Sequence, residues 1–169
     1  MASRIFIADD HPAIRKVLRV LIETHAGWEV CGEAQNGFEA LSKVAELKPD
    51  LVIMDLAMPV MDGIRAAREI SREMPGMPIL MHTMHGSPAV NLEAKKAGVT
   101  IVVSKGESGE NLIGAIEQSL KAGQSRAAAA AVGLGAERAP ATDAKAPESE
   151  KPGEVPPSTT DVEEPSKSD

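Results

Sequence analysis

The stretch Leu51-Val52-Ile53-Met54-Asp55-Leu56-Ala57-Met58-Pro59-Val60-Met61-Asp62-Gly63 decides how the chain folds. Its first four residues are apolar with no polar alternation, the pattern of a strand covered on both faces. Asp55 closes that run. Met61-Asp62-Gly63 then reads as a turn with capping chemistry leading into a helix. A buried strand that ends in a carboxylate and is followed by a helix is one β/α unit.

Outward from this stretch the same unit recurs. Short runs rich in β-branched residues lie at Arg4–Ala8, Trp28–Gly32, Ile79–His82 and Val99–Val103. Amphipathic stretches separate them. Ile14, Val17, Leu18, Leu21 and Ile22 follow a helical stripe, with Pro12 near the helix start. Asn36 is placed to cap a helix through Leu47 that buries Leu41, Val44 and Ala45, with Pro49 after its end. Ile64, Ala67 and Ile70 mark a third helix. Ser87-Pro88 starts a fourth that ends at Ala97-Gly98, and Ser108 caps a fifth that buries Leu112, Ile113, Ile116 and Leu120. Five β/α alternations predict a doubly wound, five-stranded parallel sheet with helices on both faces.

The first strand ends in Asp9-Asp10, the third in Asp55, the fourth in Thr83 and the fifth in Ser104-Lys105. Ligands in an open α/β sheet gather beyond the carboxyl ends of the strands. Clustered carboxylates suppress one another's ionisation unless a cation stands among them, and a hard divalent ion takes oxygen ligands. With a hydroxyl and an ammonium at the same edge, the set suits Mg²⁺ and a phosphoryl group, and a carboxylate can itself be the phosphorylated nucleophile.

This ordered set, with the spacing of Asp55 to Asp62-Gly63, closely resembles the receiver domain of bacterial two-component response regulators. The resemblance covers roughly residues 3–122. It implies a flavodoxin-like (βα)5 fold of strand order 2-1-3-4-5, with Asp55 as phosphoacceptor. It also implies Mg²⁺ held by Asp9, Asp10, Asp55 and the Ala57 carbonyl, Thr83 as switch hydroxyl and Lys105 as phosphoryl-binding lysine. The expected partners are a sensor histidine kinase or phosphotransfer protein and a downstream protein target, in a cytoplasmic monomer or phosphorylation-linked dimer. Gly32-Glu33-Ala34, Asn36-Gly37, Ala40-Leu41 and Val103-Ser104-Lys105 look most like receivers that precede a LuxR-type helix-turn-helix. Three positions depart from the pattern. Val102 stands where an aromatic is frequent, Gly106 where proline is frequent, and Met84 where a small residue is frequent.

Residues 123–169 are of another character. The segment 124–169 has no aromatic residue and six of the twelve prolines, and its nine acids against five bases give −4. Such a composition cannot offset its ordering entropy by burial, so a disordered Ala/Pro/Glu-rich tail is expected, with no helix-turn-helix pattern. Net charge is −7 over 169 residues, against a DNA-binding role driven by a basic surface. Cys31 is the only cysteine, which excludes an intrachain disulfide and a cysteine-rich zinc site. No run is long enough to span a membrane.

Several residues near the site have plainer readings. His11 reads as a loop or helix-start residue, His82 as strand-end packing, and His85 as a possible neighbour of the pocket. Cys31 reads as a buried, inert thiol, the methionines as packing, and Trp28 and Phe38 as core or margin. Two other functions compete with this reading. A phosphatase of the haloacid dehalogenase type needs Asp-x-Asp after its first strand, whereas Asp9 and Asp10 are adjacent, Ala57 stands two residues after Asp55, and no general acid is in place. A receiver-like module that binds partners without phosphate is the other. The leading expectation is a single-domain, Mg²⁺-dependent phosphoacceptor switch that is not an enzyme beyond its own phosphorylation and dephosphorylation.

Overall fold

Each apolar run becomes a strand because its neighbours satisfy the backbone while helices cover both faces. The computed structural model describes residues 1–133. Its elements are β1 (Ser3–Ala8), α1 (Pro12–Glu23), β2 (Trp28–Ala34), α2 (Gly37–Leu47), β3 (Leu51–Met54), α3 (Gly63–Glu73), β4 (Ile79–Thr83), α4 (Pro88–Lys96), β5 (Ile101–Ser104) and α5 (Gly109–Gly133). The five strands are all parallel in the order β2-β1-β3-β4-β5. β1, β3 and β4 lie inside the sheet, β3 and β4 buried throughout and β1 from Ile5 onward, whereas the edge strand β2 is mostly half-buried.

Two apolar layers flank the sheet. Phe6, Val52, Met54 and Met81 pack with Val44, Ala67, Ile70 and Ala94 on one face. Ile5, Ile7, Ile53 and Leu80 pack with Leu18, Ile22, Leu112 and Ile116 on the other. The caps are those expected from the sequence. Asn36, Asp62 and Ser87 accept from the backbone N–H groups of Glu39, Arg65 and Val90, and Ser108 accepts from Asn111.

Three side chains expected inside lie outside. Leu18 and Ile22 set the buried line of α1, and Val17 is rotated about 100° from Leu18 on a helix of 3.6 residues per turn, which leaves it 63% exposed. In α2 the buried line runs through Gly37, Ala40 and Val44, so Ala45 and Phe38 face away. Cys31 is half-buried, and burial pushes its thiol up. Helix α5 runs on past Leu120 to Gly133, because alanines have the highest helix propensity and extending a formed helix adds one bond per residue. The remainder of the expected disordered tail, 134–169, lies outside the described residues. Among those described, no helix is long and apolar enough to cross a membrane.

The loop from β3 to α3 is held tightly. Met61 N–H donates to the Pro59 carbonyl at 2.7 Å, closing a three-residue turn about Val60, whose φ is +67°. A β-branched residue is strained there, by about 1–2 kcal/mol relative to the right-handed region. Val60→Gly removes the strain but adds freedom to the unfolded chain worth about 0.4–1 kcal/mol. We expect it to raise the urea midpoint at unchanged m, a net gain of roughly 0.5–1 kcal/mol. A lower midpoint would mean that the exposed Val60 side chain holds the loop.

Candidate functional site

Parallel strands of matched register bring their carboxyl ends to one edge. Asp9 and Asp10 follow β1, Asp55 follows β3, Thr83 ends β4 and Lys105 follows β5. The backbone ties these ends together. Asp9 N–H donates to the Ala34 carbonyl at 3.1 Å, Asp55 N–H to the Ala8 carbonyl at 2.8 Å, and Lys105 N–H to the Thr83 carbonyl at 3.0 Å.

At the centre stands one ammonium between two carboxylates. Lys105 Nζ lies 2.6 Å from Asp9 Oδ2 and 3.1 Å from Asp55 Oδ2, and the three side chains are 8%, 2% and 5% exposed. Asp9 Oδ1 accepts from His11 N–H at 2.9 Å, and Asp55 Oδ1 accepts from Leu56 N–H at 2.8 Å. Asp9 Oδ2 has no donor other than this ammonium. Burial pushes the Asp55 carboxyl up; Lys105 pulls it back and Asp9 adds to the rise. Burial alone would pull Lys105 down, but the Asp9 and Asp55 carboxylates outweigh it and hold the ammonium above its usual value.

Asp10 sits at the rim, where its Oδ1 is 2.7 Å from His11 Nδ1. Asp9, Asp10 and His11 are close enough for one ligand atom from each to lie within 4.8 Å of the others. His11 is the residue before α1, as expected, but its ring contact with Asp10 was not. Among the described residues no backbone N–H is paired to the Ala57 carbonyl, although the neighbouring Leu56 carbonyl accepts from Gly63 N–H at 2.9 Å. The Asp9 and Asp10 carboxylates offer hard oxygens of the kind suited to Mg²⁺, with the His11 ring nitrogen beside them.

Thr83 is fully buried, and its hydroxyl accepts from His85 N–H at 3.1 Å. Asp62 caps α3 and is not drawn into the cluster. His82 is buried at the end of β4, and burial, then Lys105, pulls its imidazole below the usual value. Met84 is 67% exposed, and Val102 is packed at the margin of the layer that holds α4. Arg15, which the sequence reading passed over, donates from Nη1 to the Asp9 carbonyl at 2.7 Å. Its signal was available as basic residues at 15 and 19, one helical turn apart and facing the acid Glu33 that precedes the end of β2.

Comparison with known proteins agrees with this geometry. The profile of the response regulator receiver domain matches residues 5–117. The chemotaxis protein CheY of Thermotoga maritima is 45% identical over 105 residues, covering 62% of this chain and 87% of that protein. YhcZ, a transcriptional regulatory protein of Bacillus subtilis, is 41% identical over 110 residues, and the chain spans only 51% of its length. A two-component response regulator of the LuxR family from Aurantimonas superposes with a TM-score of 0.69 at 39% identity, over 72% of this chain and 86% of that one.

Proposed function

Because the chain belongs to the response regulator receiver family and serves as a phosphoacceptor switch in two-component signalling, we propose that Asp55 is the residue phosphorylated. The donor is a phosphohistidine on a sensor histidine kinase or phosphotransfer protein. The observation that carries this reading is the Lys105 ammonium seated between the buried Asp9 and Asp55 carboxylates. An oxygen of Asp55 attacks phosphorus, the P–N bond breaks with its electron pair passing to the imidazole nitrogen, and an acyl phosphate forms.

Asp9, Asp10, Asp55 and the Ala57 carbonyl would hold Mg²⁺, which when bound neutralises phosphoryl charge. Lys105 pairs with a phosphoryl oxygen and so exchanges a carboxylate partner for a phosphoryl one. Thr83 exchanges its hydrogen bond with His85 N–H for one to the phosphoryl group. Turning a two-state equilibrium from 1:99 to 99:1 takes about 5.5 kcal/mol. Two charge-assisted bonds at about 1.5–3 kcal/mol each supply most of it. The output is a protein–protein contact, and the chain has no catalytic turnover beyond phosphorylation and dephosphorylation of Asp55.

Transfer of radiolabel from a phosphorylated histidine-containing donor tests the assignment. Label is expected on the wild type and not on Asp55→Asn; equal labelling of both would overturn it.

A further inference from the structure

We propose that Arg15 is a positioning residue for the acidic edge, fixing the Asp9–Asp10 peptide and through it the placement of the two carboxylates. The inference rests on the reading of that edge as a divalent-cation site.

Arg15 is the third residue after Pro12 in α1, and its side chain is only 14% exposed. Nη1 donates to the Asp9 carbonyl at 2.7 Å, and Nε donates to Glu33 Oε2 at 3.1 Å. Glu33 is held in turn by Arg19, whose Nε and Nη2 both donate to Oε1, at 2.9 and 2.7 Å. One carboxylate on the edge strand thus carries two guanidinium groups from successive turns of α1. A planar guanidinium gripped at two points has little freedom left.

The constraint reaches the site through the main chain. Asp9 N–H is tied to the Ala34 carbonyl, Asp9 Oδ1 to His11 N–H, and Asp9 Oδ2 to Lys105. The Asp9 carbonyl is the remaining polar group of that residue, and Arg15 holds it. That carbonyl belongs to the peptide joining Asp9 to Asp10, so its rotation swings Asp10 relative to Asp9. Asp9 is 1% exposed. Without Arg15 its carbonyl must stay unpaired in a buried place or turn to find water.

Electrostatics predicts the opposite sign. Arg15 is a cation near a cation site, so its removal would tighten divalent binding if charge alone mattered. Arg19 provides the control, because it also carries a positive charge onto Glu33 but donates only to Glu33 and Glu23, not to Asp9.

The test titrates Mn²⁺ into the full chain and follows the loss of the free-ion EPR signal, for wild type, Arg15→Met, Arg19→Met and Glu33→Gln. Groups that orient metal ligands typically change affinity by about 10–100-fold when removed. We expect Arg15→Met to raise the Mn²⁺ half-saturation roughly tenfold, equivalent to about 1.4 kcal/mol, while Arg19→Met leaves it unchanged or lower. Unchanged or tighter binding by Arg15→Met, or equal weakening in both arginine variants, would overturn the proposal. Should Arg15→Met fail to fold, Glu33→Gln decides, since an unchanged half-saturation there would also overturn it. Failure of the wild type to bind Mn²⁺ would instead strike the cation-site reading beneath it, and the proposal with it.

Discussion

Lys105→Met is expected to lose about 3–5 kcal/mol of stability at neutral pH in metal-free buffer, the usual effect of removing one partner from a buried ion pair. Asp9 and Asp55 would then face each other with no cation and almost no water, at 2% and 5% side-chain exposure. The pH dependence follows from linkage. The Asp55 carboxyl already stands above its ordinary value through burial. A group raised in the folded state contributes stability that is present below its unfolded value and lost as pH rises through the folded one. Taking away Lys105 removes the group that pulls Asp55 back, so the folded value climbs further and the deficit of the variant shrinks on acidification. Asp55→Asn in the same background should restore much of the loss, since the repelling pair is gone. Urea unfolding of the single and double variants across pH measures all three effects. A Lys105→Met protein as stable as wild type would show that the two carboxylates do not depend on this ammonium.

Gly63→Ala carries the second large effect, and it acts on the same residue from the main-chain side. A Cβ at Gly63 would collide with the Asp55 carbonyl oxygen. The obstacle is backbone, fixed by the bond from Asp55 N–H to Ala8 and by that from Gly63 N–H to Leu56. Neither side can yield by changing rotamer. Overpacking of this kind costs about 3 kcal/mol at the upper end of its usual range, and any relief must displace Asp55. We therefore expect lower stability together with slower phosphorylation even where the variant is folded. Gly86→Ala is the matched control, because nothing lies within 4 Å of a Cβ there. Equal stability of the two alanine variants would contradict the packing described for the β3–α3 turn.

The sheet and its edge were legible because they depend on local signals. Leu51–Met54 could only be a buried strand, and the caps at Asn36, Asp62, Ser87 and Ser108 were written in single residues. The order of carboxylates, hydroxyl and lysine at the strand ends was legible for the same reason, since topology alone brings strand ends together. What escaped depends on angles and partners. Val17 and Ala45 fit an apolar stripe on paper, but one residue of helix rotation turned them to solvent. Phe38 is exposed at the first turn of α2, where size gave no hint of direction. Arg15 carries no local signal of its role, because its acceptors, the Asp9 carbonyl and Glu33, come from β1 and β2. Continuation of α5 to Gly133, inside the segment expected to be disordered, rests on the alanine run, whose helix propensity outweighs the composition of the segment as a whole.

Wild-type protein treated with a small acyl phosphate donor and Mg²⁺, then reduced with borohydride and digested, should yield homoserine at position 55, the product of reducing an aspartyl phosphate. Position 9, position 10 and position 62 should remain aspartate in the same digest. Reduction at any of those three, or phosphorylation with position 55 unmodified, would contradict the account.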